Sequence, residues 1–238
     1  MFSRLLYAYL DWTMRKIPPP DNPQNRETFN LPPMNPPLAK KNDVESLALA
    51  GWRSDGNEGP LPSVYVLAVR GYRFATMGNP ERNDCGIWDD AFFLVTPDGF
   101  FPENANTDPS RLGWNPGVGK PYGLLQPGVW YFYPGPHKGR PGCFRQADDA
   151  QVAAKLGIPH EGKFKVMRMW GYGDSRNYIE WGHQQVNVHP GAMSSTSSWL
   201  CLTLPYDRAS AWLRQATLAV KEARQKTLPV ILIDGPIN

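Results

Sequence analysis

The sequence predicts an α+β protein, mostly β, closed by a long C-terminal helix and a final strand. Three observations predict it. Short β-branched and aromatic runs recur between Pro/Gly turns from about residue 63 to residue 189. A single strongly amphipathic segment, 206–226, stands near the end and is followed by the apolar run Val230-Ile231-Leu232-Ile233. The 25 prolines and 22 glycines among 238 residues favour a loop-rich β architecture over a helical bundle, and a 41% apolar fraction is enough for one core.

In chain order, residues 1–16 form one predicted amphipathic helix, with Leu5, Leu6, Tyr9, Leu10 and Thr13 at helical spacing. It suits packing on a neighbour or another subunit, or contact with a membrane. Residues 17–60 make a second unit. Pro18-Pro19-Pro20, Pro23, Pro32-Pro33 and Pro36-Pro37 exclude helix and central strand and leave an extended arm. That arm is either an attachment device or a tail wrapped on its own domain. A short helix follows over Asn42–Gly51, with Asp43 as N-cap and Gly51 as its stop.

Residues 61–238 make the main domain. Ser63–Arg70 is the clearest strand, and Ile87–Thr96 is a second one ending at the turn Pro97-Asp98-Gly99. Asn104–Lys120 reads as a polar loop, Gln126–Tyr133 as a turn plus aromatic strand, and Gly135–Gly142, holding His137, as a Gly/Pro loop. Asp148–Leu156 suits a helix ended by Gly157, and Lys163–Met169 alternates as a half-buried strand. Tyr178–His189 reads as a strand pair, with Val186 and Val188 on one face and Asn187 and His189 on the other. The helix 206–226 has Ala209, Trp212, Leu213, Ala216, Ala219 and Val220 inward and Asp207 near its start; the strand 227–234 closes the chain.

Composition excludes several functions. A net charge of +3, with no RNP, zinc-finger or helix-turn-helix pattern, excludes nucleic acid as a partner. No run reaches the roughly 18 apolar residues of a membrane span, and the N-terminus lacks a signal-peptide core, so any route to an extracytoplasmic target depends on another carrier. Four histidines without an HExxH, and three cysteines without CxxC, predict no metal and no cofactor. Cys85 and Cys143 either pair, leaving Cys201 free, or all three are thiols. Asp89 and Asp90 are adjacent on a strand and point to opposite faces, so they are not an acid/base pair; one of them caps a loop.

Chemistry concentrates in Asn187–Pro205. His189 on a strand, a run of small hydroxyl residues, and Cys201 twelve positions later bring an imidazole and a thiol to one rim as base and nucleophile. Asn187 shares the histidine's face and either orients the ring or binds substrate. Ser197 and Ser198 stand beside the cysteine, and the N–H groups of Leu200 and Cys201 are candidate oxyanion donors. Arg73 and His137 are candidates for a substrate carboxylate. The same residues also fit a buried core thiol and a hydrogen-bonded strand histidine.

This stretch resembles the catalytic motif of the YkuD-like (L,D-transpeptidase) family, a His-Gly pair followed after a loop by Ser/Thr-His-Gly-Cys, with His189 at its start and Ser198-Trp199-Leu200-Cys201 at its end. It is still more similar to phage-borne relatives. The matching segments are Gly71-Tyr72-Arg73, Asn83-Asp84-Cys85-Gly86-Ile87-Trp88-Asp89-Asp90, Leu125-Gln126-Pro127-Gly128-Val129-Trp130, Asn187-Val188-His189, Ser197-Ser198-Trp199-Leu200-Cys201-Leu202-Thr203 and Pro229-Val230-Ile231-Leu232-Ile233. The resemblance spans about 64–234. The chain departs from the family at Pro190, Trp199, Leu200 and Thr203, which stand where Gly, His, Gly and Arg are usual.

The resemblance implies a β-rich YkuD-like domain and a cysteine acyl-enzyme acting on peptidoglycan stem peptides, as an L,D-carboxypeptidase or endopeptidase. It implies carriage in a phage virion tail, or delivery to the host periplasm or cell wall, with residues 1–40 contacting other tail proteins. The alternative it leaves open is a catalytically degenerate adaptor of the virion tail.

Overall fold

A computed structural model describes residues 34, 36–73, 76–77, 85–110, 121–170 and 174–235. The expected helix over 1–16, the arm up to residue 33, and Asn83 and Asp84 lie outside the described residues.

The first element is α1 (Lys41–Ser54), longer than expected at both ends. Lys40, not Asp43, is its N-cap, and no side chain caps it. Gly51 does not stop the helix. A Cβ there would sit 2.8 Å from Ile231 Cγ2, so glycine serves close approach of the helix to the sheet. Val44, Ala48 and Trp52 bury the inner face of α1, which makes the helix part of the main domain's core.

Eleven strands follow among the described residues: β1 (Tyr65–Arg70), β2 (Asp90–Thr96), β3 (Gly99–Ala105), β4 (Tyr122–Leu125), β5 (Gly128–His137), β6 (Arg140–Arg145), β7 (Phe164–Met169), β8 (Tyr178–Gly182), β9 (Asn187–Pro190), β10 (Leu202–Leu204) and β11 (Leu228–Asp234). Helix α2 (Ala150–Leu156) stands between β6 and β7 and α3 (Tyr206–Glu222) between β10 and β11. The Asp149 carboxylate accepts from the Val152 N–H to cap α2, and left-handed Gly157 ends it. Pro205 precedes α3, whose first turn contains Asp207.

Eight strands form one sheet in the order β10-β9-β6-β5-β11-β1-β2-β3, and β4-β7-β8 form a second. The two edges of the large sheet nearly meet. Asn106 N–H donates to Thr203 O at 2.9 Å and Thr203 N–H to Asn106 O at 2.9 Å, so the sheet is almost a closed barrel. Closure leaves few unpaired edge groups. One face carries the main core: Phe92, Phe132, Phe144, Val188, Leu202 and Leu204, with Trp212 and Leu213 of α3 and Phe164 and Val166 of β7. The opposite face of β1, β2, β5 and β11 is covered by α1. The α+β, mostly β expectation thus holds at the level of architecture.

Three expectations change. Gly135–Gly142 is not a loop: β5 runs through His137, turns at Lys138-Gly139 and returns as β6. Pro134 and Pro136 hid this strand. They are tolerated because β5 outruns β11 beyond Phe132 and pairs only with β6 there, so a missing N–H costs no ladder bond on the open side. Asn104 is a buried strand residue and Asn106–Ser110 are buried, not a solvated loop. The run Tyr178–His189 does not make a hairpin, because β8 belongs to the small sheet and β9 to the large one.

Candidate active site

Asn187, His189, Cys201 and His137 meet on one face of the sheet where β5, β6, β9 and β10 lie side by side. Strands β9 and β10 are parallel, with Val188 opposite Leu202 and His189 opposite Thr203. Val188 and Leu202 enter the core, so strand alternation sends Asn187, His189, Cys201 and Thr203 to the other face. Phe144 faces Val188 and Arg145 faces Asn187, which puts Cys143 and Arg145 on that same outer face. Cys201 is level with Asn187, one step before the Leu202–Val188 pair. Cys201 and His189 are therefore diagonal neighbours on adjacent strands, a separation that long side chains can bridge.

His137 comes to this face through the hairpin that sequence reading missed. Its ring stacks on His189 with centroids 4.4 Å apart and planes 10° from parallel. The Asn187 amide favours the charged form of the His137 ring.

The hydrogen bonds of His189 fix its tautomer. Nδ1 lies 2.7 Å from the Pro190 carbonyl, which has no proton to give, so Nδ1–H donates and Nε2 keeps its lone pair. Burial holds this imidazole down to about 4; the Pro190 carbonyl opposes the shift, while His137, Lys138 and Arg140 reinforce it. His137 is also lowered, by burial first and then by Lys138 and Arg145. Both rings are neutral near pH 7.

Cys201 is half-buried. Its thiol lies 4.0 Å from Gln185 O and 3.9 Å from Asn187 Nδ2. Burial raises the thiol above its ordinary value, and the backbone N–H and side-chain amide of Asn187 partly offset this. No hydrogen bond joins Cys201 to His189. The resting pair is therefore a neutral thiol and a neutral imidazole, an arrangement in which a nucleophilic role for the sulfur would need proton transfer to His189.

The backbone around the pair is strained at two non-glycine residues. Gln185 (φ 56°) and Ser197 (φ 54°) are both left-handed. The first turns its carbonyl to Asn187 Nδ2, at 2.5 Å, and to the Cys201 sulfur. The second shapes the loop before Cys201 and is exposed. Ser198 is buried, and its hydroxyl donates to Cys201 O at 2.5 Å. Ser110 in turn donates through its N–H and its hydroxyl, both at 2.7 Å, to Ser198 O. Ser198 thus holds the backbone of Cys201 rather than facing outward.

Leu200 is buried in the core, and Gly123 makes room for it: a Cβ on Gly123 would lie 2.9 Å from Leu200 Cδ1. Its backbone is not left-handed; Ser197 takes that role three residues earlier. Among the turn and loop hydrogen bonds of the described residues, the N–H groups of Leu200 and Cys201 are not donors.

Arg73 is not brought to this face. Its Nη2 donates to Pro36 O at 2.7 Å, its N–H donates to Asp89 O at 2.6 Å, and its guanidinium lies over Tyr72. Residues missed from sequence are Cys143, Lys138, Arg140 and Gln185. The signal for the first three was Lys-Gly between an aromatic run and Cys-Phe, a two-residue hairpin pattern masked by its flanking prolines.

All three cysteines are free thiols. Among the described residues no group of three or more His, Cys, Asp or Glu is placed to hold a metal, and no helix is long and apolar enough to cross a membrane. A groove of about 620 Å³ lies elsewhere, between α1 and the starts and ends of β1 and β2, floored by Tyr65 and without thiol or imidazole. No known protein family, curated protein or solved structure matches this chain.

Proposed function

We propose that this protein is a phage peptidoglycan peptidase of L,D-carboxypeptidase or endopeptidase type, with Cys201 as nucleophile and His189 as base, carried in the virion tail. The observation that supports it is the tautomer of His189: Nδ1 is committed to Pro190 O, which leaves the basic Nε2 on the face that also bears Cys201.

In this reading a stem-peptide carbonyl settles between the thiol and the N–H groups of Leu200 and Cys201. Sγ attacks the carbonyl carbon as its proton passes to His189 Nε2, and the tetrahedral oxyanion is stabilised by those N–H groups. The imidazolium then protonates the leaving amine, the C–N bond breaks, and a thioester on Cys201 remains. Water, deprotonated by the same imidazole, hydrolyses the thioester and returns the thiol. Asn187 holds the sulfur, and Ser198 fixes the Cys201 carbonyl.

The second reading is a catalytically degenerate adaptor of the virion tail. The raised thiol and the absence of a Cys201–His189 hydrogen bond favour it. Digestion of peptidoglycan by the purified chain separates the two. Release of a free terminal amino acid (carboxypeptidase) or of muropeptides (endopeptidase) that disappears in Cys201→Ala and in His189→Ala, and that chelator leaves intact, is the expected result. Release of neither a free amino acid nor muropeptides from the unaltered protein supports the adaptor.

A further inference from the structure

We infer that Lys138 and Arg140, at the tip of the β5–β6 hairpin, form the subsite for a free carboxylate on the leaving side of the scissile bond, which makes the protein an exopeptidase that removes a C-terminal residue. This rests on the reading of Cys201 and His189 as nucleophile and base.

The hairpin itself is the first argument. Lys138 (φ 47°) and Gly139 (φ 77°) form a two-residue turn closed by the His137–Arg140 pair. Such turns favour Asn or Asp before Gly, because a side chain in the left-handed region costs about 1 kcal/mol. A lysine there is not explained by the turn. Both Lys138 and Arg140 are exposed, and neither makes an ion pair or side-chain hydrogen bond among the described residues. Arg145, further along the same strand, is by contrast tied to Asp148.

Position is the second argument. The turn starts at His137, whose ring lies flat on His189. The two free cations therefore stand at the rim beside the proposed base. Their charges reach His137 and His189, and that of Lys138 reaches Cys201 as well. No carboxylate among the described residues opposes them at these three groups; Asp148 is spent on Arg145 and the Tyr133 hydroxyl. The floor of the same face holds Thr203, opposite His189 and fully buried, with a hydroxyl that has no hydrogen-bond partner. A cationic rim that no carboxylate opposes suits an anion.

Side is the third argument. His189 gives its proton to the leaving amine, so the leaving residue lies on the histidine side of the thiol. The carboxylate of a terminal residue follows the scissile bond by one residue, within about 4 Å of chain. A hairpin tip stacked against His189 therefore meets the leaving group and not the acyl group.

The test uses the full chain with two synthetic stem tetrapeptides, one ending in a free carboxylate and one in the corresponding amide. A carboxylate held by one or two charge-assisted bonds is worth about 10–100-fold. The unaltered protein is expected to prefer the acid by that factor in kcat/KM, and the preference is expected to fall to about one in Lys138→Ala/Arg140→Ala. Calorimetric titration of Cys201→Ala with the same two peptides reads the preference without turnover. Equal treatment of acid and amide, or a preference that survives in the double variant, overturns the subsite. Acid-selective binding without any turnover overturns the enzyme and keeps the subsite; turnover without acid preference does the reverse. Failure of both binding and turnover overturns both.

Discussion

Two polar clusters lie in this fold, and they are built in opposite ways. At the ends of β1 and β11 the Arg70 guanidinium is enclosed by acceptors: Asp108 at 2.8 Å, Asp234 at 3.1 Å, Thr107 Oγ1 at 3.1 Å and O at 3.2 Å, and Leu125 O at 2.8 Å. Asp90 beside it accepts from the N–H groups of Gly71 and Thr107, each at 2.5 Å. This cluster leaves little over for a ligand. The Cys201 cluster is loosely bonded, with sulfur contacts of 3.9 and 4.0 Å and a histidine nitrogen left open. Buried polar groups that satisfy one another hold a fold, whereas groups left short of partners are positioned for chemistry. The segment Asp108–Ser110 touches both, binding Arg70 at one end and Ser198 at the other, so the saturated cluster braces the loop of the open one.

The contrast can be broken or sharpened by measurement. Arg70→Met leaves Asp108 and Asp234 without their shared cation in the interior, and should cost about 3–5 kcal/mol in urea unfolding. A loss below about 1 kcal/mol would mean the network is not what holds this end of the barrel. Leu200→Gly, which brings the motif closer to the family's residues, should cost about 3 kcal/mol by emptying the space over Gly123. It should give no gain in peptidoglycan release, since the left-handed turn is already supplied by Ser197.

Asp90 gives a pH test of the saturated cluster. Burial, and then the Asp108 carboxylate, push it up to about 7 against its two N–H donors and Arg70. The native state therefore holds this proton where the unfolded chain has released it. The contribution is full below pH about 4 and is lost as pH rises through about 7. Stability measured from pH 4 to 8 should carry this downward component, and Asp90→Asn should flatten it.

The open cluster should show the smallest effect on stability and a distinct reactivity. Cys201→Ser should shift unfolding by less than about 1 kcal/mol. Iodoacetamide labelling of Cys201 should be slow at pH 7 and still be rising above pH 9, because burial raises the thiol. Fast labelling at pH 7 would show instead a thiolate–imidazolium pair in the resting protein.

Much of this was legible in the chain. The β-branched and aromatic runs Ser63–Arg70 and Ile87–Thr96 located β1 and β2, the alternation in Lys163–Met169 located β7, and the apolar stripe of 206–226 located α3. The two faces of Val186–His189 told core from site, because strand period is a local property. That Asp89 and Asp90 split between two faces was legible for the same reason, but which of them caps a loop was not: the structure gives that role to Asp90. The prolines of β5 concealed the hairpin, since whether a missing N–H matters depends on whether a neighbouring strand is there to need it. Gly51 was misread likewise, as a stop when it is a contact.

By itself, then, the sequence determined the mostly β class, several of the strands, the closing helix, and the placing of Asn187 and His189 on the face opposite Val186 and Val188. Only the tertiary structure decided that His137, Lys138 and Arg140 join Cys201 and His189, and that Arg73 does not. It also decided that Leu200 is a core residue and that His189 keeps Nε2 free. Each of these depends on which strands lie side by side and on what one backbone carbonyl faces, and long-range pairing of that kind leaves no periodic trace in a single chain.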